Sequence, residues 1–86
     1  MNNPIAIITG ASTGIGKSLS LELSKRNFEI ILVSRNKEKL SIVEQEIKDK
    51  GGRCSFVVAD VSKKSSINKI YDKISNPEKV DLIINN

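Results

Sequence analysis

Histidine and tryptophan are missing from these 86 residues, and cysteine occurs once, at Cys54. One thiol cannot close a disulfide within the chain, and without histidine the paired Cys/His patterns that hold structural zinc cannot be assembled. A reducing compartment is the expected setting. Aromatics are as scarce, at 3%, comprising Phe28, Phe56 and Tyr71, which leaves little with which to stack nucleic-acid bases. Long apolar runs are lacking too. Ile5 to Ile8 falls far short of the roughly 20 residues needed to cross a bilayer, and no basic segment precedes it as in a secretory signal. A cytoplasmic protein with no membrane partner is expected.

Charge of one sign is only mildly in excess. Fourteen Lys and Arg against ten Asp and Glu leave +4, but Lys37, Glu38, Lys39, Glu44, Glu46, Lys48, Asp49 and Lys50 mix the signs along one stretch. That is the pattern of a solvated helix face, so no nucleic-acid partner is expected. The length allows one small domain or part of a larger one. A chain of this size buries only about 60–65% of its unfolded surface, so its stability alone is expected to be marginal.

What the sequence does contain is alternation. Short β-branched apolar runs take turns with longer stretches whose apolar residues recur at helical spacing. Ile5 to Thr9 reads as a strand. Ile15, Leu19 and Leu23 then fall four apart on one side of a helix to about Arg26, stopped by Asn27, a residue that tolerates the left-handed conformation. Glu29 to Ser34 reads as a strand buried on both faces. Asn36 caps a second helix carrying Leu40, Val43 and Ile47, which Gly51 and Gly52 end. Cys54 to Asp60 forms a third strand, and Ser62 caps a third helix with Ile67, Ile70 and Ile74, ending before Asn76 and Pro77. Val80 to Asn85 closes the series. This β-α-β-α-β-α-β order with short connections predicts an α/β fold with right-handed crossovers and a helix-covered parallel sheet.

Chemistry concentrates in Thr9-Gly10-Ala11-Ser12-Thr13-Gly14-Ile15-Gly16-Lys17-Ser18, between the first strand and the first helix. Glycines let a backbone turn sharply and approach a ligand, while the N–H groups and positive dipole end of a helix attract phosphate. Two nucleotide readings compete. Gly16-Lys17-Ser18 matches the end of the P-loop pattern G-x-x-x-x-G-K-[ST], although Ala11 stands where its first glycine belongs, and Asp60 could then ligate magnesium. The other reading is dinucleotide binding, with glycines spaced 10, 14 and 16 rather than as G-x-G-x-x-G.

Thr-Gly-Ala-Ser-Thr-Gly-Ile-Gly at 9–16 resembles the T-G-x-x-x-G-x-G cofactor motif of the short-chain dehydrogenases/reductases. The resemblance continues through Ser34-Arg35-Asn36, Gly51-Gly52, Asp60-Val61-Ser62 and Asp81-Leu82-Ile83-Ile84-Asn85-Asn86, each after its strand. It implies the N-terminal, NAD(P)-binding Rossmann half of such a domain over residues 1–86, with strand order 3-2-1-4 and the catalytic half absent. By similarity, Gly10, Ser12, Thr13, Gly14, Ile15 and Gly16 lie under the pyrophosphate. Asp60 and Val61 frame the adenine, and Asn85 and Asn86 begin the N-N-A-G motif at the cofactor ribose. Lys17 then loses its P-loop role and reads as a solvated lysine.

Cofactor choice follows from chemistry at the end of the second strand. A carboxylate there accepts from the ribose 2′-hydroxyl of NAD, but this chain has Ser34 and Arg35, and a guanidinium pairs with the 2′-phosphate of NADP. NADP(H) is therefore expected over NAD(H). Catalysis in the family needs a Tyr followed four residues later by Lys. Tyr71, the one tyrosine, is followed four later by Ser75, and its place beside Ile70 and Ile74 marks it as a packing residue. No catalytic or metal-binding residue is expected here. The implied activity is hydride transfer between NADP(H) and a carbonyl or alcohol, with substrate and oligomer belonging only to a full-length form. Alone, the chain is expected to leave strand four as an apolar edge, to be partly disordered or aggregating, and to turn over no substrate. A non-catalytic nucleotide-binding module and a P-loop nucleotidase stand as alternatives.

Overall fold

The computed structural model describes residues 3–11, 14–74 and 79–85. Elements follow in the order β1 (Ile5–Thr9), α1 (Gly14–Lys25), β2 (Glu29–Ser34), α2 (Lys37–Asp49), β3 (Cys54–Val58), α3 (Ser65–Lys73) and β4 (Val80–Asn85). All three strand pairings are parallel, in the order β3-β2-β1-β4. The Rossmann-like parallel sheet of order 3-2-1-4 expected from the sequence is thus the fold observed. β1 and β2 are central, so the runs Ile5–Thr9 and Ile30–Val33 are buried throughout, as strands covered on both faces must be.

Alternation along the strands sorts their side chains to two layers. Ala6, Ile8, Ile30 and Leu32 meet Leu40, Val43 and Ile47 of α2, with Leu21 and Leu23 of α1 packed alongside. On the opposite face Ile5, Ile7, Ile31 and Val33 meet Val57, Ala59 and Ile74, with Ile70 of α3 against them. Two helices therefore cover one face and a single helix the other. Right-handed crossovers produce this when the chain steps outward through β2 and β3, then returns past β1 to β4.

Both long helices end by the same device. Asn27 (φ 69°) and Gly51 (φ 84°) occupy the left-handed region. Asn27 and Phe28 donate N–H to the Ser24 and Leu23 carbonyls at 3.1 Å each, while Gly51 and Gly52 donate to those of Lys48 and Ile47 at 2.9 Å each. These are Schellman ends, which satisfy carbonyls the helix leaves open. Gly52 is glycine for another reason. A Cβ there would lie 2.7 Å from Ile47 Cγ2 and would collide with the Ser24 hydroxyl, so α1 and α2 can converge only over a bare backbone.

Three details depart from the sequence reading. The fully buried residues of α1 are Gly16 and Ser20; of the stripe read from the sequence Leu23 packs against the core, but Ile15 is 69% exposed. Small residues let this helix sit close on the sheet, and the Ser20 hydroxyl is satisfied by donating to the Gly16 carbonyl at 2.7 Å. Next, β3 stops at Val58. Its last partnering bond runs from the Ala59 N–H to the Ser34 carbonyl at 2.9 Å, after which Asp60 turns the chain away. Finally, Ser62 does not cap α3, which starts at Ser65 with no side-chain cap. The Ser62 hydroxyl donates to Asp60 Oδ1 at 2.6 Å instead.

Candidate functional site

Parallel strands end on one side, and here β1, β2 and β3 deliver Gly10, Ser34, Arg35, Asp60 and Val61 to a shared cleft of about 430 Å³. Arg35 also borders a second, more open concavity with Asn36, Lys37 and Glu38. Ligands of open α/β sheets collect at this edge.

Each wall has a local cause. Gly10 (φ 62°) and Gly14 (φ 56°) hold left-handed backbone where the chain leaves β1 and enters α1, a conformation that costs other residues about 1 kcal/mol or more. Among the described residues a Cβ on Gly14 would meet no atom within 4 Å, so it is the left-handed turn, not crowding, that calls for glycine there. The first turn of α1 carries no acidic residue, which keeps that end attractive to anions. At the end of β2, the Ser34 hydroxyl accepts the Asn36 N–H at 3.3 Å. Asn36 caps α2 through Oδ1, which accepts the Lys39 N–H at 3.1 Å. Those two bonds fix the turn from which Arg35 projects into solvent.

Asp60 is held from several sides. Its Oδ1 accepts both the hydroxyl and the N–H of Ser62, at 2.6 and 3.0 Å, and its carbonyl accepts the Ser66 hydroxyl at 2.6 Å. The Ser62 bonds, with smaller help from the charges of Arg35 and Lys63, hold the Asp60 carboxyl below its usual range. It is therefore an acceptor at neutral pH, and among the described residues no hydrogen bond reaches its Oδ2. Arg35 and Asp60 line the same cleft, which places a guanidinium and a carboxylate around one opening.

At the far side of β1, the Thr9 hydroxyl donates to the Ile84 carbonyl at 3.3 Å, and Thr9 is in register with Asn85. This brings Asn85 to the same edge as Gly10. Ile15 stands exposed just inside α1, and Gly16 is buried beneath. Ser12, Thr13 and Asn86 lie outside the described residues.

Several groups stay out of the site. Tyr71 is 58% exposed, which corrects its reading as a packing residue, and it lines an apolar cleft with Ile70, Ile74 and Ile83 on the single-helix face. Burial pushes the Cys54 thiol up to about 12, so it offers no thiolate near neutrality. Among the described residues there is no group of three or more Cys, Asp or Glu side chains suited to a metal ion, and no helix long and apolar enough to cross a membrane.

Lys17 also lies apart. Its ammonium meets Glu46 of α2 at 3.0 Å, a contact the sequence did not reveal, because it depends on how two helices are rotated against each other. The other ion pairs among the described residues, Arg26–Glu22 and Lys48–Glu44, are ordinary i,i+4 pairs within a helix.

A glycine turn at a helix start, a cation and a carboxylate at neighbouring strand ends, and the order 3-2-1-4 define a nucleotide-binding α/β fold of Rossmann type. The chain belongs to the short-chain dehydrogenase family, whose sequence profile matches residues 4–86. It is 32% identical to human (Homo sapiens) dehydrogenase/reductase SDR family member 1 over 88 aligned residues, covering 100% of this chain and 28% of that protein. A shorter relative, the short-chain dehydrogenase/reductase homolog YusS of Bacillus subtilis, is 37% identical over 86 residues, covering 98% of this chain and 79% of YusS. The L-sorbose reductase of Gluconobacter frateurii, solved with NADPH and L-sorbose, superposes with a TM-score of 0.90 at 28% identity, covering 100% of this chain and 34% of that one. A metagenomic short-chain oxidoreductase solved with NADP gives 0.84 at 30% identity, covering 93% and 37%. The chain thus spans roughly a third of most of these relatives.

Proposed function

We propose that this chain is the cofactor-binding part of a short-chain dehydrogenase/reductase that takes NADP(H) in preference to NAD(H). The observation that carries the reading is Arg35, projecting at the end of β2 beside the Asp60 cleft, with no acidic residue at that strand end to hold a 2′-hydroxyl. The residues fit the group: the open turn over Gly14 suits a pyrophosphate, the Asp60 carboxylate suits the adenine amine, and Arg35 suits a 2′-phosphate. By the family resemblance, Ser12, Thr13, Ile15, Gly16 and Val61 would complete the lining of the turn and ring, and Asn85 and Asn86 would serve the ribose. Neighbours of the same fold were solved with NADP or NADPH, which supports the choice.

The bound dinucleotide would supply or accept a hydride, and the longer protein's activity would be interconversion of a carbonyl and an alcohol. These 86 residues contain no Tyr-x-x-x-Lys, so they bind and orient the cofactor but do not move the substrate's proton. Turnover, substrate and oligomeric assembly belong to a longer form. The Lys17–Glu46 contact weighs against the P-loop alternative, because a P-loop lysine must be directed at the phosphates.

Titration of the chain with NADPH and with Mg-ATP, followed by calorimetry, tests the reading. Saturable NADPH binding with no ATP hydrolysis is expected. ATP binding with hydrolysis, and no NADPH binding, would overturn it.

A further inference from the structure

Lys17 is the one charged residue in the first turn of α1, at the positive end of the helix dipole, where a cation is unfavourable. Side chains of a helix lean toward its N-terminus, so a lysine at this position naturally reaches back over the glycine turn. It does not do so here. The ammonium is turned across to α2, 3.0 Å from Glu46 Oε1, with the two side chains 38% and 37% exposed. An ion pair this exposed contributes only about 0–1 kcal/mol to stability, which makes its geometric effect more important than its energy.

Building on the dinucleotide reading above, we propose that Glu46 is a positioning residue that draws the Lys17 ammonium away from the phosphate end of α1. The pyrophosphate is then gripped by backbone N–H groups at the glycine turn, without a lysine side chain competing for it. The pair is exposed enough for the lysine to change rotamer, so removing the Glu46 charge would free it to turn toward the anion.

Four forms of the chain decide the matter: wild type, Glu46→Gln, Lys17→Gln and the double variant. Each is titrated with NADPH and with inorganic pyrophosphate at low and at physiological salt, and its fold is checked by circular dichroism. Glu46→Gln should bind about two- to fivefold more tightly at low salt, a gain that shrinks as salt rises. Lys17→Gln should bind as wild type does, and the double variant should match Lys17→Gln. A merely structural tie between the helices would instead make Glu46→Gln and Lys17→Gln weaken binding alike. Failure of Glu46→Gln to bind either probe more tightly than wild type overturns the proposal, as does a gain that persists in the double variant. Wild-type chain that binds pyrophosphate but not NADPH would remove the dinucleotide reading alone, leaving the role of Glu46 to be judged on pyrophosphate.

Discussion

Exchanging Arg35 for Asp should reverse the cofactor preference, weakening NADPH about ten- to hundredfold while NADH binds as well or better. A hydrogen bond to a charged group contributes about 1.5–3 kcal/mol, and each 1.4 kcal/mol is a factor of ten. The substituted carboxylate would add repulsion against the 2′-phosphate and could accept from a 2′-hydroxyl. The site offers a second readout. Because the Arg35 charge is one cause of the lowered Asp60 carboxyl, replacing it with a negative charge should move that titration upward. Calorimetric titration of both cofactors, with NMR titration of Asp60, checks both parts. Equal affinity for NADPH and NADH before and after the exchange would remove Arg35 as the discriminating group.

Leu32→Ala should cost the fold about 2–5 kcal/mol, the range for emptying a packed leucine site. Leu32 lies on β2 at 0% exposure, inside the layer made by Leu40, Val43 and Ile47, where strand and helix leave little room to collapse into the void. A domain of 86 residues has about 4–13 kcal/mol of stability in all. The loss is therefore a large share of the whole, and the variant should unfold at clearly lower urea than the wild type. Ile83→Ala is the control. Ile83 is 66% exposed on β4, and its loss should change stability by about 0.5 kcal/mol or less. Urea melts followed by circular dichroism compare the two, and equal effects would contradict the layer assignment.

Element order and the ends of α1 and α2 were legible in the sequence because each rests on local chemistry, while the strand order came from the family resemblance. Four adjacent aliphatics at 30–33 need cover on both faces, Asn36 can cap only forward, and Asn27 and Gly51 suit a left-handed turn. The misreadings share a cause. Counting apolar residues placed Ile15 inward, whereas α1 is held to the sheet by Gly16 and Ser20, whose smallness sets the distance. Ser62 looked like a cap from its position, but a carboxylate two residues away offered its hydroxyl a stronger acceptor. Tyr71 stands three residues before buried Ile74, which follows the end of α3, yet it sits on a face that no further element covers among the described residues. For the candidate site, the strand-end positions of Gly10, Arg35 and Asp60 could be read directly. The pairing of Lys17 with Glu46 could not, since it spans two helices and 29 residues of chain.

The strand order also bears on how the fold assembles. β1–β2 and β2–β3 join strands separated by one crossover each, whereas β1 pairs with β4 so that Thr9 lies beside Asn85. Closing a loop of that span carries a larger entropic cost than either crossover. On a ribosome, β1 must therefore wait with one edge bare until nearly all of this chain has emerged. The glycine turn, fixed on one side by β1, acquires its opposite wall only in that last step, so hydrogen exchange during refolding should protect β2 before β4.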